Sequence, residues 1–135
     1  MAAFLDTNVL VYAFDQSEPD KRAIAIEIIA GEMGPYTVSA QVLNEFYLTA
    51  TRKLQPPLSN ETAKQVVEKL SSGYVVPIDA LLVRQAIKLV EEARLPLRDA
   101  GIVAAARRAG ADKLLTEDLN HGQVIDGITI HNPFR

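Results

Sequence analysis

Cysteine is absent from this chain, histidine occurs only twice, no long uncharged apolar run is present and there is no excess of positive charge. Without cysteine, disulfides, thiolate nucleophiles and thiolate zinc sites are excluded. A metal would have to be held by oxygen, or by His121 and His131. No stretch reaches the roughly 18 apolar residues of a membrane span, and Asp6 interrupts the first apolar run at once. Neither a membrane helix nor a signal peptide is therefore expected, and the expected location is the cytoplasm. There the Asn60-Glu61-Thr62 sequon meets no glycosylating machinery and reads as chance. The formal net charge is −3 and the pI about 5.4. Proteins that track nucleic-acid phosphates ordinarily carry a basic footprint. A nucleic-acid function here would require the acids to be gathered in one place, as around a metal.

What the chain does have is 48% hydrophobic residues in a length of 135, enough for one domain, 1–135, with a substantial core. Phe4-Leu5 reads as a short buried strand ending at Asp6, and the apolar spacing of Ala23, Ile24, Ile28 and Ile29 as a helix that Asp20 can cap. Tyr36 to Val38 form a second strand. Ser39 caps a helix from Ala40 to Arg52, and Pro56-Pro57 break the chain before a third helix capped by Ser59 or Asn60 and running to about Ser71. "YVVPI" supplies a third strand, and Asp79 caps a long amphipathic helix through Arg94, which Pro96 ends. "RDAGIVAAARRAG" is a helix rich in small residues on one side, "KLLT" a fourth strand, "EDLNHGQ" a polar loop, and "ITIH" a last strand after the Asp126-Gly127 turn signal. Alternating strands and helices predict an α/β fold, a three-layer α/β/α sandwich around a mostly parallel sheet of about four to five strands.

In such sheets ligands bind beyond the carboxyl ends of the strands. Asp6 ends the first strand there, Asp118 lies just past the fourth, and Asp99 opens a helix that can point at the same edge. Glu45, embedded in "VLNEFYL", is half-buried in a helix and needs a partner, whether a metal or an internal arginine such as Arg84 or Arg98. Singly, Asp99 reads as a helix-capping acid and Asp118 as a solvated turn residue. Together they would repel one another and raise one another's pKa values unless a cation were present. An oxygen-only, multiply anionic site suits Mg²⁺ or Mn²⁺, and a divalent ion on carboxylates is apparatus for phosphodiester hydrolysis.

At these residues the sequence resembles the PIN-domain ribonucleases, and among them the VapC-type toxins of prokaryotic toxin–antitoxin pairs. "FLDTNVLVYAFD" is similar to that family's opening motif, "VSAQVLNEF" to its second, "RDAGIVAAARRAGADKLLTEDLNHGQ" to its third and fourth, and "IDGITIHNPF" to its closing strand. The resemblance spans essentially the whole chain. It implies a metal-dependent endoribonuclease whose acidic site is Asp6, Glu45, Asp99 and Asp118, with Thr116 orienting a ligand or water and Asn8 holding Asp6 or Asp118. It further implies an RNA substrate, a homodimer and an antitoxin whose C-terminal segment covers the pocket with a basic side chain over the metal positions. Glu117 rivals Asp118 as the fourth acid, with Asp118 preferred. The chain departs from the pattern at Arg98, where an aromatic residue is common, and at Gly101, where a bulkier apolar residue is. Arg98 either clamps phosphate or pairs with a neighbouring carboxylate.

Several residues carry blander readings. The resemblance gives His121 no catalytic role, and His131, on the last strand, is structural. Tyr12 and Tyr47 sit in apolar runs and read as core. The basic pairs Lys21-Arg22, Arg52-Lys53 and Arg107-Arg108 read as solvated helix faces, any of which can meet RNA phosphates. Two other functions compete. A haloacid dehalogenase-like phosphatase would use Asp6 as nucleophile, but such enzymes usually carry a second Asp two residues on, where this chain has Asn8. A PIN-fold binding module without catalysis is the third reading.

Overall fold

The computed structural model describes residues 2–135. The elements follow in the order β1 (Ala3–Leu5), α1 (Thr7–Tyr12), α2 (Pro19–Ile29), β2 (Tyr36–Ser39), α3 (Ala40–Arg52) and α4 (Asn60–Leu70). After these come β3 (Val75–Val76), α5 (Ala80–Ala93), α6 (Leu97–Arg108), β4 (Lys113–Leu115), β5 (Val124–Ile125) and β6 (Ile128–His131). The fold is the expected α/β architecture with a mostly parallel central sheet. The sheet has six strands rather than four to five, in the order β3-β2-β1-β4-β6-β5. The additional strand is β5, which runs antiparallel to β6 across the Asp126-Gly127 turn. Both turn residues have positive φ, 52° and 81°, the conformation a two-residue hairpin with the right twist demands.

All other pairings are parallel. The chain first builds outward from β1 through β2 to β3, then crosses back and lays β4 on the other side of β1. That reversal opens a crevice between the carboxyl ends of β1 and β4, the place where doubly wound sheets take their ligands. The centres of β1, β4 and β6 are apolar, as expected where helices cover both faces of a parallel sheet: Phe4, Leu5, Leu114, Leu115 and Ile130 are at most 2% exposed. No helix among the described residues is long and apolar enough to cross a membrane.

Most helix boundaries follow from their caps. Ser39, Ser59 and Asp79 each accept a hydrogen bond from the backbone N–H three residues on, satisfying a donor the helix leaves open. The α2 boundary differs from the sequence reading. Pro19 takes the first helical position and Glu18 precedes it without a side-chain cap, so Asp20 lies in the first turn. α5 stops before Pro96, at Ala93, because Arg94 turns into the left-handed region at φ 56°. α6 is buried around its whole circumference, every residue from Ala100 to Ala106, and it packs on β2, β4 and β6. The helix α1, directly after β1, has no counterpart in the sequence reading.

Candidate functional site

The register of the two central strands creates the site. Leu5 pairs with Leu115, and the Asp6 N–H continues the ladder to the Leu115 carbonyl at 3.0 Å. Asp6 and Thr116 therefore emerge side by side at the carboxyl edge, where the Thr116 hydroxyl donates to Asp6 Oδ2 at 2.9 Å. Asp6 is also the N-cap of α1, its Oδ1 accepting the Thr7 N–H at 2.7 Å. One residue thus ends a strand, starts a helix and sets a carboxylate at 1% exposure into the crevice.

Glu45 comes from the middle of α3 and is half-buried, as its apolar flanks predicted. Its Oε1 accepts the Thr7 hydroxyl at 2.7 Å. Asp99 lies in the first turn of α6, yet it caps nothing, because Pro96 occupies the N-cap. Asp118 stands at the outer rim, where Asn8 Nδ2 reaches its Oδ2 at 3.0 Å and Thr116 Oγ1 at 3.3 Å. Asn8 therefore braces Asp118 and not Asp6. The Asp118 N–H in turn donates to Thr116 Oγ1 at 3.0 Å. Its neighbour Glu117 turns away to accept from Tyr12 and from Lys21 at 3.0 Å.

Arg98 holds the middle. Its Nη1 and Nη2 donate to Asp6 Oδ2 and Oδ1 at 3.2 and 2.7 Å, and its Nε and Nη2 to Glu45 Oε2 and Oε1 at 3.2 and 2.7 Å. Nη1 also meets Asp99 Oδ1 at 3.1 Å. Of the two sequence readings for this arginine, the geometry realises pairing with carboxylates; Arg84 makes no ion pair with them. Gln41, one turn before Glu45, donates to the Arg98 carbonyl at 3.1 Å and to Glu45 Oε2 at 3.4 Å. A Cβ at residue 101 would stand 2.8 Å from Gln41 Oε1, so a larger residue there would require this flexible side chain to shift.

The electrostatics divide across this network. Burial opposes ionisation of Glu45, but the hydrogen bonds from Arg98 and Thr7 outweigh it and hold the carboxyl below its ordinary value. Arg98 is pushed well above its ordinary value, because bonds to Asp6 and Glu45 overcome its desolvation. Asp118 shifts the other way: desolvation against the cleft wall, then the Asp6 charge, raise its carboxyl. Outside the site, His131 is lowered by burial and then by the neighbouring His121 ring, 5.1 Å away between centroids.

A cleft of about 730 Å³ opens over these residues, lined by Thr7, Asn8, Tyr12, Glu45, Arg98 and Asp118 together with Arg52 and Lys53 at the end of α3. Arg52-Lys53 is thereby set apart from the other basic pairs. Lys21 is spent on Glu117, while Arg107 and Arg108 pair with Asp126 and Asp79. Tyr12 lines the cleft instead of lying in the core. The roles of Thr7, Gln41 and Tyr12 went unread in the sequence. Adjacency to Asp6 and the four-residue step to Glu45 were the available signals for the first two.

The donor set suits a hard divalent cation: four carboxylates, the Thr7 and Thr116 hydroxyls, and Asn8 Oδ1, which is buried without a hydrogen-bond partner. Among the described residues, no three acids or histidines are near enough to one another to form a ready metal cage. Arg98 stands among three of the acids instead.

A family model described as PIN domain matches residues 3–125. A search of curated proteins returns no match. Solved structures share the fold over nearly the whole chain. A toxin–antitoxin complex from Klebsiella pneumoniae matches at 22% identity with 98% of each chain covered and a TM-score of 0.69. DNA-bound VapBC from Salmonella typhimurium matches at 22% identity, 98% coverage of each chain and 0.66. VapC20 of Mycobacterium tuberculosis, a toxin that cleaves the sarcin–ricin loop, matches at 18% identity over 83% of this chain and 86% of its own, with a TM-score of 0.63.

Proposed function

The chain belongs to the PIN-domain family, and on that premise we propose that it is a Mg²⁺- or Mn²⁺-dependent endoribonuclease acting in the cytoplasm as the toxin of a toxin–antitoxin pair. The observation that carries this reading is the meeting of Asp6, Glu45 and Asp99, from three separate elements, around one cationic point, with Asp118 beside it on the Asn8–Thr116 brace. Four carboxylates at one sheet edge are costly to any fold that does not use them.

Asp6, Glu45, Asp99 and Asp118 would hold the ion, with the Asn8 carbonyl oxygen available to it or to its water. A divalent ion there polarises a phosphoryl oxygen and lowers the pKa of an attacking water. The chain's own groups do the positioning. Thr116 fixes the orientation of Asp6 and, through the Asp118 N–H, the start of the rim segment. Asn8 aims Asp118 inward. Arg52 and Lys53 give an RNA backbone a positive rail in the same cleft, so an acidic protein can bind RNA locally. The phosphatase reading loses support, because position 8, where such enzymes carry a second acid, holds an asparagine whose amide is spent on Asp118 and Thr116.

The toxin assignment is drawn from the fold shared with toxin–antitoxin structures and from the motif resemblance. A cognate antitoxin carrying a basic side chain would find strong electrostatic complementarity at this cleft, and the chain would dimerise. The test is cleavage of structured RNAs by antitoxin-free protein in Mg²⁺, Mn²⁺ or EDTA beside Asp6→Asn. Metal-dependent cleavage, lost in Asp6→Asn, is expected. RNA binding with no cleavage in any metal would assign a non-catalytic binding module instead.

A further inference from the structure

We propose that Arg98 is the site's own competitor for the metal: a tethered cation that lowers the affinity for a divalent ion and must leave for the ion to enter. This rests on the metal reading of the same acids. The oxygens Arg98 engages, both of Asp6, both of Glu45 and one of Asp99, belong to the carboxylates that would ligate the ion. They cannot serve a planar guanidinium fork and a compact metal ion in one arrangement. Metal binding is therefore coupled to withdrawal of the arginine, and the apparent affinity is the intrinsic one reduced by the fraction of molecules in which Arg98 is already out.

The charge balance makes the exchange feasible. A single guanidinium faces three carboxylates directly, with Asp118 close by, so a divalent ion neutralises more of this charge. Arg98 also has somewhere to go, because its side chain is 35% exposed and lines the open cleft. A substrate phosphate is a natural new partner for the freed fork. Residues around it restrain the exit. Gln41 donates to Glu45 Oε2, the acid that the Arg98 fork also engages, and to the Arg98 main-chain carbonyl, and so holds Glu45 in reach of the fork.

The experiment is calorimetric titration of the full chain with MnCl₂, alongside thermal denaturation with and without Mn²⁺. Arg98→Ala is expected to bind Mn²⁺ about tenfold more tightly or better, and to gain more in Tm from Mn²⁺ than the parent does. Arg98→Lys, which keeps one charge but cannot bridge both acids, should fall between them. Gln41→Ala, which leaves every acid and Arg98 in place but takes one competing donor from Glu45 Oε2, should shift affinity in the same direction by a smaller factor. It provides the reading if Arg98→Ala does not fold. Parent and folded Arg98 or Gln41 variants binding Mn²⁺ equally well would overturn the competition while leaving the metal site standing. Weaker Mn²⁺ binding in Arg98→Ala would overturn it too, making the arginine an organiser of the acids. Absence of Mn²⁺ binding in every protein would overturn both the metal reading and this one.

Discussion

The inner and outer halves of the acid edge use the same residue chemistry in opposite ways. The inner half, Asp6 with Glu45 and Asp99, is locked to an arginine, and Glu45 is held below its ordinary pKa. The outer half, Asp118, has only the Asn8 amide and its own N–H on Thr116, and it is raised. An acid with an opposite charge in contact is stabilised as an anion; an acid facing another acid across a cleft wall is not. The fold has thus stabilised one side of the site at rest and left the other short of positive charge.

The comparison is broken most severely at Asp6, the carboxylate both halves depend on. On the proposed function, Asp6→Asn should lower RNA cleavage by more than about 100-fold, because it removes a carboxylate proposed to hold the metal and loosens the groups aimed by it. The same variant should lose about 1–3 kcal/mol of stability, since the half-buried arginine is left partly unpaired; urea unfolding measures this. Thr116→Val comes next. It takes a fully buried hydroxyl from between the two halves, with an expected cost of about 1–3 kcal/mol in urea and about tenfold in cleavage.

Two pH series then separate the halves by sign. Glu45 has a lowered folded pKa, so its contribution to stability is present above the unfolded value and is lost as pH falls through the folded one. In a Tm series, Glu45→Gln should be less stable than the parent at neutral pH, the gap closing in strong acid. Asp118 has a raised folded pKa, so the fold resists its ionisation and stability improves as pH falls through that pKa toward the ordinary carboxylate value. Asp118→Asn should therefore raise Tm at neutral pH, by about 1–2 °C at so exposed a position, while cleavage is lost. Adding Mn²⁺ should erase that gain, since a bound cation reverses the sign at Asp118.

The sequence revealed the alternation of strands and helices because caps and breakers mark it locally: Ser39, Ser59, Asp79 and Pro56-Pro57 each announce a boundary. It also showed which acids sit at strand ends or on helices near the carboxyl edge of the sheet, since chain order and strand direction place Asp6 and Asp118 together. Helix α1 stayed hidden because its six residues, mostly buried, look like the strand before them and carry no helical period. The hairpin strand β5 stayed hidden because Val124 and Ile125 are too few to show alternation. Arg98 was legible as a departure but not as the centre of the site. Which of several acids a long side chain reaches depends on the packing of α3, α6 and β1, and no spacing along the chain encodes it. The same holds for Glu117 and Asp118, adjacent in sequence yet turned to different partners by Tyr12, Lys21 and Asn8.

The central claim is that this edge is built to exchange its arginine for a metal, and the most direct measurement is anomalous diffraction from crystals of the chain equilibrated with MnCl₂. The account predicts a manganese peak at the carboxyl ends of β1 and β4, ligated by Asp6 and its neighbouring acids, with the Arg98 guanidinium moved out toward the cleft mouth. No peak at millimolar Mn²⁺, with Arg98 still bridging Asp6 and Glu45, would contradict it.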